Sequence, residues 1–235
     1  MANNYFKFKQ FTIYQDQCGM KVCTDSCVFG ALIKPEGAKR ILDIGTGTGL
    51  LALMVAQRAI GHIDAIEKDE SAYKQALFNI NHSPWPEQVS VYHQALQDYR
   101  PRDGYDLICC NPPFYKDYLK SGKAKYDLAC HSAGLSPSVL LQFADKYLKY
   151  DGRFYILYPE KEFASFEQEA ERYQLSCQEK ILIRNHYGKP AIRVVGVFSK
   201  ITKPNALVSE LVIRNSDQSY TSAFNDLLKS YYYNL

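Results

Sequence analysis

The feature that most constrains the fold of this 235-residue chain is a regular alternation of apolar runs with amphipathic stretches between residues 40 and 200. Several of the apolar runs are almost continuous, as is typical of strands covered on both faces. The segments that we predict to be strands are RILDI (40–44), HIDAIE (62–67), VSVYH (89–93), YDLICC (105–110), RFYILY (153–158), KILIR (180–184) and IRVVGVFS (192–199). Helical periodicity predicts helices over 48–59, 69–81, 137–149 and 160–173. The order of these elements predicts an α/β protein with a doubly wound, mostly parallel sheet of seven strands and helices on both faces.

Two of the predicted helices have a residue at their start that can cap them. Asp69 and Ser136 carry short side-chain oxygens that can accept a hydrogen bond from an otherwise unpaired backbone N–H. The connection 114–136 is longer than an ordinary loop, and such connections are often functional. Beyond the repeat, we predict a strand-like segment at 211–214 and a final helix over 219–230.

A glycine-rich turn follows the first predicted strand, in ILDIGTGTGL (41–50). Gly45, Gly47 and Gly49 allow the backbone to approach a ligand beyond the carboxyl end of the strand. Their G-x-G-x-G spacing differs from the G-x-G-x-x-G of dinucleotide-binding proteins, which disfavours a nicotinamide-dependent dehydrogenase. Asp43 suits a ligand with an ammonium group, and Glu67 ends the second strand, where an acidic side chain can accept hydrogen bonds from ribose hydroxyls. Together these features predict an adenosine-type cofactor.

The sequence Asn-Pro-Pro-Phe (111–114) follows the strand YDLICC. The side-chain carbonyl of Asn111 and the backbone carbonyl of Pro112 can accept both N–H bonds of a conjugated amino group, whose nitrogen is otherwise a poor nucleophile. Pro112 and Pro113 restrict φ and so pre-organise these acceptors, and Phe114 offers a flat face on which a base can stack. We therefore predict that Asn111, Pro112, Pro113 and Phe114 are catalytic residues.

With these motifs, residues 40 to 200 resemble the class I S-adenosylmethionine-dependent methyltransferases, which have a Rossmann-like fold. The resemblance implies that the glycine loop cradles the methionine and ribose parts of the cofactor, with Asp43 near the ammonium, Glu67 on the ribose and Asn111 beside the methyl donor. Many relatives have an acidic residue after the third strand, near the adenine amino group. This chain has Gln94 and Ala95 there, so we expect backbone amides at Ala95 to hold the adenine.

The N-terminal stretch FKFKQFTIYQDQCGMKVCTDSCVFGALI (6–33) resembles a narrower family, the tRNA1(Val) adenine-N6 methyltransferases, which modify adenine-37 beside the anticodon. The tail LVIRNSDQSYTSAFNDLLKSYYYNL (211–235) is similar to the ending of that family. The resemblance implies an extension 1–39 that packs on the cofactor site, a methyltransferase domain 40–203, and an appendage 204–235 of the same domain. It places Thr24 and Asp25 near the methionine end of S-adenosylmethionine, and it implies the anticodon stem-loop of a tRNA as partner.

Basic residues suggest where RNA would bind. The whole chain has a formal charge of only +3, but residues 180–204 contain six Lys and Arg and no acidic residue, which suggests a local phosphate contact. The predicted RNA-binding residues are Lys116, Lys120, Lys123 and Lys125 on the long connection, together with Arg184, Lys189 and Arg193. A solvated charged surface without ligand is the alternative interpretation.

Two other functions fit parts of the sequence. A protein glutamine-N5 methyltransferase of the release-factor type would use the same Asn-Pro-Pro-aromatic motif, but such enzymes have a substantial helical domain before the glycine loop. A cofactor-binding, RNA-binding module without turnover is a third hypothesis.

The seven cysteines include no CxxC pair, and no apolar run approaches the length of a membrane span. We expect no metal and no membrane contact, a cytoplasmic location and a monomer.

Overall fold

The structure, a computed structural model, describes residues 3–113 and 135–235. The helices and strands of this part of the chain alternate through the region where the sequence predicts them. In chain order they are β1 (Tyr5–Lys7), β2 (Thr12–Tyr14), α1 (Thr24–Leu32), β3 (Arg40–Ile44), α2 (Leu50–Ala56), β4 (His62–Glu67), α3 (Glu70–Asn81), β5 (Val89–His93), β6 (Tyr105–Cys110), α4 (Pro137–Tyr147), β7 (Leu148–Pro159), α5 (Glu160–Glu171), β8 (Ser176–His186), β9 (Arg193–Ser199), β10 (Leu207–Arg214) and α6 (Ser222–Leu228). All seven predicted strands and all five predicted helices are present.

The main sheet of the described residues has eight strands in the order β10-β8-β9-β7-β6-β3-β4-β5. Strand β9 runs antiparallel to both of its neighbours, and the other neighbouring strands are parallel. The predicted number of seven strands is therefore wrong. The eighth strand is β10, which pairs in parallel with β8, Leu211 opposite Ile183. Only its second half is buried, so its apolar pattern in the sequence is too short to predict membership of the sheet.

Side-chain caps begin two helices at the predicted residues. The Asp69 carboxylate accepts a hydrogen bond from the Ala72 amide at 2.8 Å, and the Ser136 hydroxyl accepts one from the Val139 amide at 3.3 Å. These bonds satisfy amide groups that have no partner inside a helix. Both cap predictions are confirmed.

Apolar side chains bury both faces of the sheet, as predicted. Because successive strand residues point to opposite faces, Ile41 of β3 packs into a core with α1, α2 and α6, whereas Leu42 packs into a core with α4 and α5. Helices α1 and α2 approach closely at Gly30, where a Cβ atom would lie 2.6 Å from the Met54 sulfur. A larger residue at position 30 would therefore require the Met54 side chain to move.

The N-terminal residues form a small unit beside the main sheet. Strands β1 and β2 make an antiparallel hairpin, and two buried polar side chains of α3 hold the end of β2 and the segment that follows it. Asn79 accepts a hydrogen bond from the Tyr14 amide at 2.9 Å and donates one to the Tyr14 carbonyl at 2.8 Å. Gln75 accepts one from the Gln17 amide at 3.0 Å. Since both side chains are almost fully buried, each of these bonds satisfies a group that water cannot reach.

Candidate active site

The predicted cofactor and catalytic residues lie along one edge of the sheet. The glycine loop follows β3, Glu67 ends β4, Ala95 follows β5, and Asn111 follows β6. These four strands are neighbours and parallel, so their carboxyl ends share an edge. The chain winds in opposite directions from β3, toward β4 and β5 on one side and toward β6 and β7 on the other. Open α/β sheets bind ligands at such a point.

The glycine loop has a conformation that favours glycine at each of its three positions. Gly45, Gly47 and Gly49 have φ of +69°, +58° and +81°, which side chains with a Cβ rarely adopt. The Gly45 and Thr46 amides donate to the Ile66 carbonyl at 2.9 and 3.0 Å, and this ties the loop to β4. A Cβ on Gly47 would meet no atom within 4 Å. The loop is thus fixed at its base and open at Gly47, where backbone can contact a ligand.

Glu67 links the glycine loop to the start of α3. One carboxylate oxygen accepts a hydrogen bond from the Gly47 amide at 3.0 Å, and the other accepts one from the Asp69 amide at 2.9 Å. The carboxylate is partly exposed and retains acceptor capacity, since each oxygen has two lone pairs. The Glu67 carboxylate therefore lies beside the glycine loop and can accept further hydrogen bonds.

Asp43 lies beneath the glycine loop and is fully buried. Its carboxylate accepts a hydrogen bond from the Thr46 hydroxyl at 2.6 Å, and the Cys109 thiol donates to it across 3.7 Å. Burial raises the pKa of Asp43 from 3.8 to about 6, and the hydrogen bonds from Thr46 and Cys109 oppose that rise. The Asp43 carboxylate therefore lies underneath the glycine loop, and its predicted place near the ammonium of the cofactor stays a prediction.

Asn111 has a side-chain orientation that suits a hydrogen-bond acceptor role. Its Nδ2 donates to the Ser26 hydroxyl at 3.1 Å. Its Oδ1 is buried and has no hydrogen-bond partner among the described residues. A buried oxygen without a partner is unusual and costly. Pro112 is buried and Pro113 exposed, while Phe114 lies outside the described residues.

The start of helix α1 approaches the same site. Thr24 is exposed as the first residue of the helix. The Asp25 carboxylate lies 3.4 Å from Nε of Arg193, which begins β9. Burial raises the pKa of Asp25, and the Arg193 guanidinium opposes that rise. The start of α1, with Thr24 and Asp25, therefore lies beside Arg193. Ser26, which follows Asp25 in the helix, contacts Asn111.

The predicted RNA-binding residues of the described part lie at the same edge. The β8–β9 hairpin carries Arg184 and Arg193 near its turn and Lys189 within it. Arg184 bonds to Glu210 at 2.9 Å, whereas the Lys189 ammonium has no ion-pair partner in the residues that the structure describes. Lys200 and Lys203 follow β9 at its other end. At ~3.3 Å per residue along the strand, they lie roughly 20 Å from the hairpin turn. The hairpin therefore divides the basic segment 180–204 between two ends of the sheet.

Four of the predicted RNA-binding residues lie outside the described residues, namely Lys116, Lys120, Lys123 and Lys125. Within residues 3–113 and 135–235, no group of three or more His, Cys, Asp and Glu side chains is arranged to hold a metal ion. No helix in those ranges has the length and apolarity needed to span a membrane.

Sequence reasoning missed two residues of the site. Asn79 donates from Nδ2 to the Thr48 carbonyl at 2.8 Å, and so joins the glycine loop to the N-terminal segment. An asparagine on the buried face of a predicted helix is a signal that could have identified it. Ser26 contacts Asn111 across 85 positions of sequence, and no spacing rule connects two such distant residues.

Comparison with known proteins identifies the family and the fold. Residues 21–167 match the family described as the methyltransferase small domain. A solved structure of a predicted O-methyltransferase from Agrobacterium tumefaciens has a TM-score of 0.68 and 15% sequence identity, over 88% of this chain and 96% of that one. Fold and family together define a methyltransferase with a Rossmann-like sheet, and S-adenosylmethionine is its cofactor.

Two relatives narrow the assignment. The tRNA1(Val) (adenine(37)-N6)-methyltransferase of Cytophaga hutchinsonii is 40% identical over the full length of both chains. The protein of the same name from Salmonella enteritidis is 36% identical over 99% of this chain and 96% of its own length. The chain belongs to the family of tRNA1(Val) (adenine(37)-N6)-methyltransferases.

Proposed function

We propose that this protein transfers a methyl group from S-adenosylmethionine to the exocyclic N6 of an adenine in tRNA, namely adenine-37 of tRNA1(Val). The observation that carries the proposal is the buried Oδ1 of Asn111, which follows β6 beside the glycine loop and has no hydrogen-bond partner among the described residues. A hydrogen-bond acceptor in this position is what an amino-group substrate requires. The names of the full-length relatives support the choice of tRNA.

The residues at the strand ends fit the cofactor. The open backbone at Gly47 and the carboxylate of Glu67 would hold the ribose, with Gly45 and Gly49 shaping the loop. Thr24 and Asp25 would border the methionine end, Asp43 would act on its ammonium from underneath the glycine loop, and the backbone at Ala95 would face the adenine. When bound, S-adenosylmethionine supplies the methyl group on a positively charged sulfonium. The role of the protein is then to place the acceptor nitrogen in line with it.

Asn111 and Pro112 would act on the target amino group. The lone pair of an adenine N6 is conjugated into the ring and is a weak nucleophile. Asn111 Oδ1 and the Pro112 carbonyl would each accept one N–H, which favours a pyramidal nitrogen with its lone pair free to react. Pro113 stiffens the turn that holds these acceptors. Phe114 remains a predicted stacking platform for the base.

The substrate side of the proposal rests on where the basic residues lie. Lys189, Arg184 and Arg193 are at the same edge of the sheet as Asn111, where they could contact phosphates of an anticodon loop. Bases of a single-stranded loop can be splayed out at modest cost, so the target can enter a pocket without melting a helix. The predicted lysines of residues 116–125 would extend this contact. A monomeric, cytoplasmic enzyme stays part of the proposal.

The proposal is tested by incubating the purified protein with radiolabelled S-adenosylmethionine and tRNA from a strain lacking this activity, followed by nucleoside analysis. We expect labelled N6-methyladenosine in one valine tRNA. Asn111→Ala should abolish the label, while Asn205→Ala, which changes an exposed asparagine, should leave it unchanged. Label in a release factor instead of tRNA would point to glutamine methylation. Cofactor binding without transfer to either would point to a non-catalytic RNA-binding module.

A further inference from the structure

We propose that Ser26 is a positioning residue, whose hydroxyl fixes the orientation of the Asn111 side-chain amide for methyl transfer. The inference rests on the proposed function, because it concerns the residue that would accept the substrate N–H. An amide has a donor end and an acceptor end of almost equal size. Rotation by 180° would therefore place the NH2 group where the acceptor oxygen is needed.

The contact between the two side chains is direct. Asn111 Nδ2 donates to Ser26 Oγ at 3.1 Å, and the opposite end of the amide, Oδ1, is buried with no partner among the described residues. The hydroxyl of Ser26 also lies 3.1 Å from the Cys23 sulfur. The Ser26 hydroxyl can thus accept a hydrogen bond from Asn111 and donate one to the Cys23 sulfur, so that it acts as acceptor and as donor at once.

Helix α1 holds Ser26 in place for this role. Ser26 is itself 8% exposed, and the next three residues, Cys27, Val28 and Phe29, are fully buried. A short serine side chain on a buried helix turn has little freedom to move away from Asn111. The contact to Asn111 therefore comes from a buried helix, whereas Asn111 itself follows strand β6.

The strength of the contact sets the size of the expected effect. A neutral hydrogen bond of this kind contributes about 1 kcal/mol, and its loss would let the amide populate the wrong orientation. We therefore expect Ser26→Ala to lower kcat roughly three- to tenfold. The KM values for S-adenosylmethionine and for tRNA should remain within about twofold of the parent protein, since Ser26 acts through Asn111.

The kinetic test compares three variants in the tRNA assay. Ser26→Ala should show the loss of kcat, Ser26→Thr should recover most of it because it keeps the hydroxyl, and Ser165→Ala should behave as the parent protein. Ser165 is an exposed serine of helix α5 and provides the same chemical change away from the site. A Ser26→Ala enzyme with unchanged kcat would overturn the inference. Equal losses in Ser26→Ala and Ser26→Thr would do so as well.

A second readout needs no turnover. In protein labelled with ¹⁵N-asparagine, the side-chain NH2 signal of Asn111 is identified by its absence in Asn111→Ala. We expect one of its two protons to be shifted downfield and to exchange slowly with solvent, in the parent protein and in Ser26→Thr but not in Ser26→Ala. An unchanged signal in Ser26→Ala would refute the contact even if tRNA is not the substrate. Failure of the parent protein to methylate tRNA, with the expected signals present, would refute only the proposed function.

Discussion

Replacing Asp43 by Asn is expected to remove a pH dependence of stability that originates beneath the glycine loop. The Asp43 carboxylate is fully buried, and burial raises its pKa from 3.8 to about 6 against the opposing hydrogen bonds of Thr46 and Cys109. The folded protein therefore holds this proton more tightly than the unfolded chain does. The resulting contribution to stability is present in full below about pH 4 and is lost as the pH rises to about 6.

The pKa values give the size of this contribution. A shift of about two units corresponds to roughly 3 kcal/mol between the two protonation states. That is a substantial part of the total stability of a domain, which is typically about 5–15 kcal/mol. Asn at position 43 has no proton to release and can still accept a hydrogen bond from the Thr46 hydroxyl. Its own contribution to stability should thus be the same at all pH values in this range.

Urea unfolding at several pH values between about 4 and 7.5 would measure the effect. The free energy of unfolding of the parent protein, relative to that of Asp43→Asn, should fall by about 2–3 kcal/mol across this range. Using a relative value cancels the titration of all other groups. Asp151→Asn, at an exposed aspartate, serves as the control and should show no such trend. A difference between parent and Asp43→Asn that stays constant with pH would refute the assignment of a raised pKa to Asp43.

Three further predictions concern the strand ends and the basic hairpin. Asn111→Ala should lower kcat by at least about 100-fold, because Asn111 is proposed to act mainly on the acceptor amino group. The affinity for S-adenosylmethionine, measured by calorimetry, should stay within about threefold of that of the parent protein. A parallel loss of kcat and of cofactor affinity would contradict this role. Glu67→Gln should weaken S-adenosylmethionine binding about tenfold in the same calorimetric assay, because a neutral amide is a weaker acceptor for ribose hydroxyls than a carboxylate. An unchanged affinity would show that Glu67 does not bind the ribose. Lys189→Glu should weaken tRNA binding and reduce the slope of log affinity against log salt by about 1. Lys203→Glu, at the opposite end of the hairpin, is the matched control, and equal effects of the two substitutions would speak against a contact at the hairpin turn.

Local signals in the sequence were sufficient for most of the fold. The apolar runs predict the strands because a strand covered on both faces has no polar side to interrupt it. Asp69 and Ser136 predict helix starts because capping needs only one side chain and an amide three residues away. The order of strands then brings the glycine loop, Glu67 and Asn111 to one edge. This part of the site follows from topology, without knowledge of any side-chain contact.

The sequence was less informative about features of the structure that depend on contacts between residues far apart in the chain. Strand β10 joins the sheet because its buried half pairs with β8, and a short apolar segment alone does not specify a partner. The basic segment 180–204 reads as one cluster, yet the hairpin separates its ends and Glu167, Glu210 and Asp25 each pair with one of its cations. Charge counted along a sequence therefore overstated the local charge in space. The division of the chain at residues 39 and 204 stays a prediction.

A helix outside the strand–helix repeat, α1, contacts Asn111 through Ser26. Tyr231 of the C-terminal tail donates to the Met54 carbonyl of α2 at 2.9 Å, and Arg58 donates to the Gly30 carbonyl of α1 at 2.7 Å. The C-terminal tail is thus bonded to α2, and Arg58, which follows α2, is bonded to α1, the helix that brings Ser26 against Asn111. The glycine loop and strand ends are sufficient to define a methyltransferase. In the proposed function, the orientation of the Asn111 amide depends in addition on Ser26, which α1 supplies from the N-terminal part of the chain.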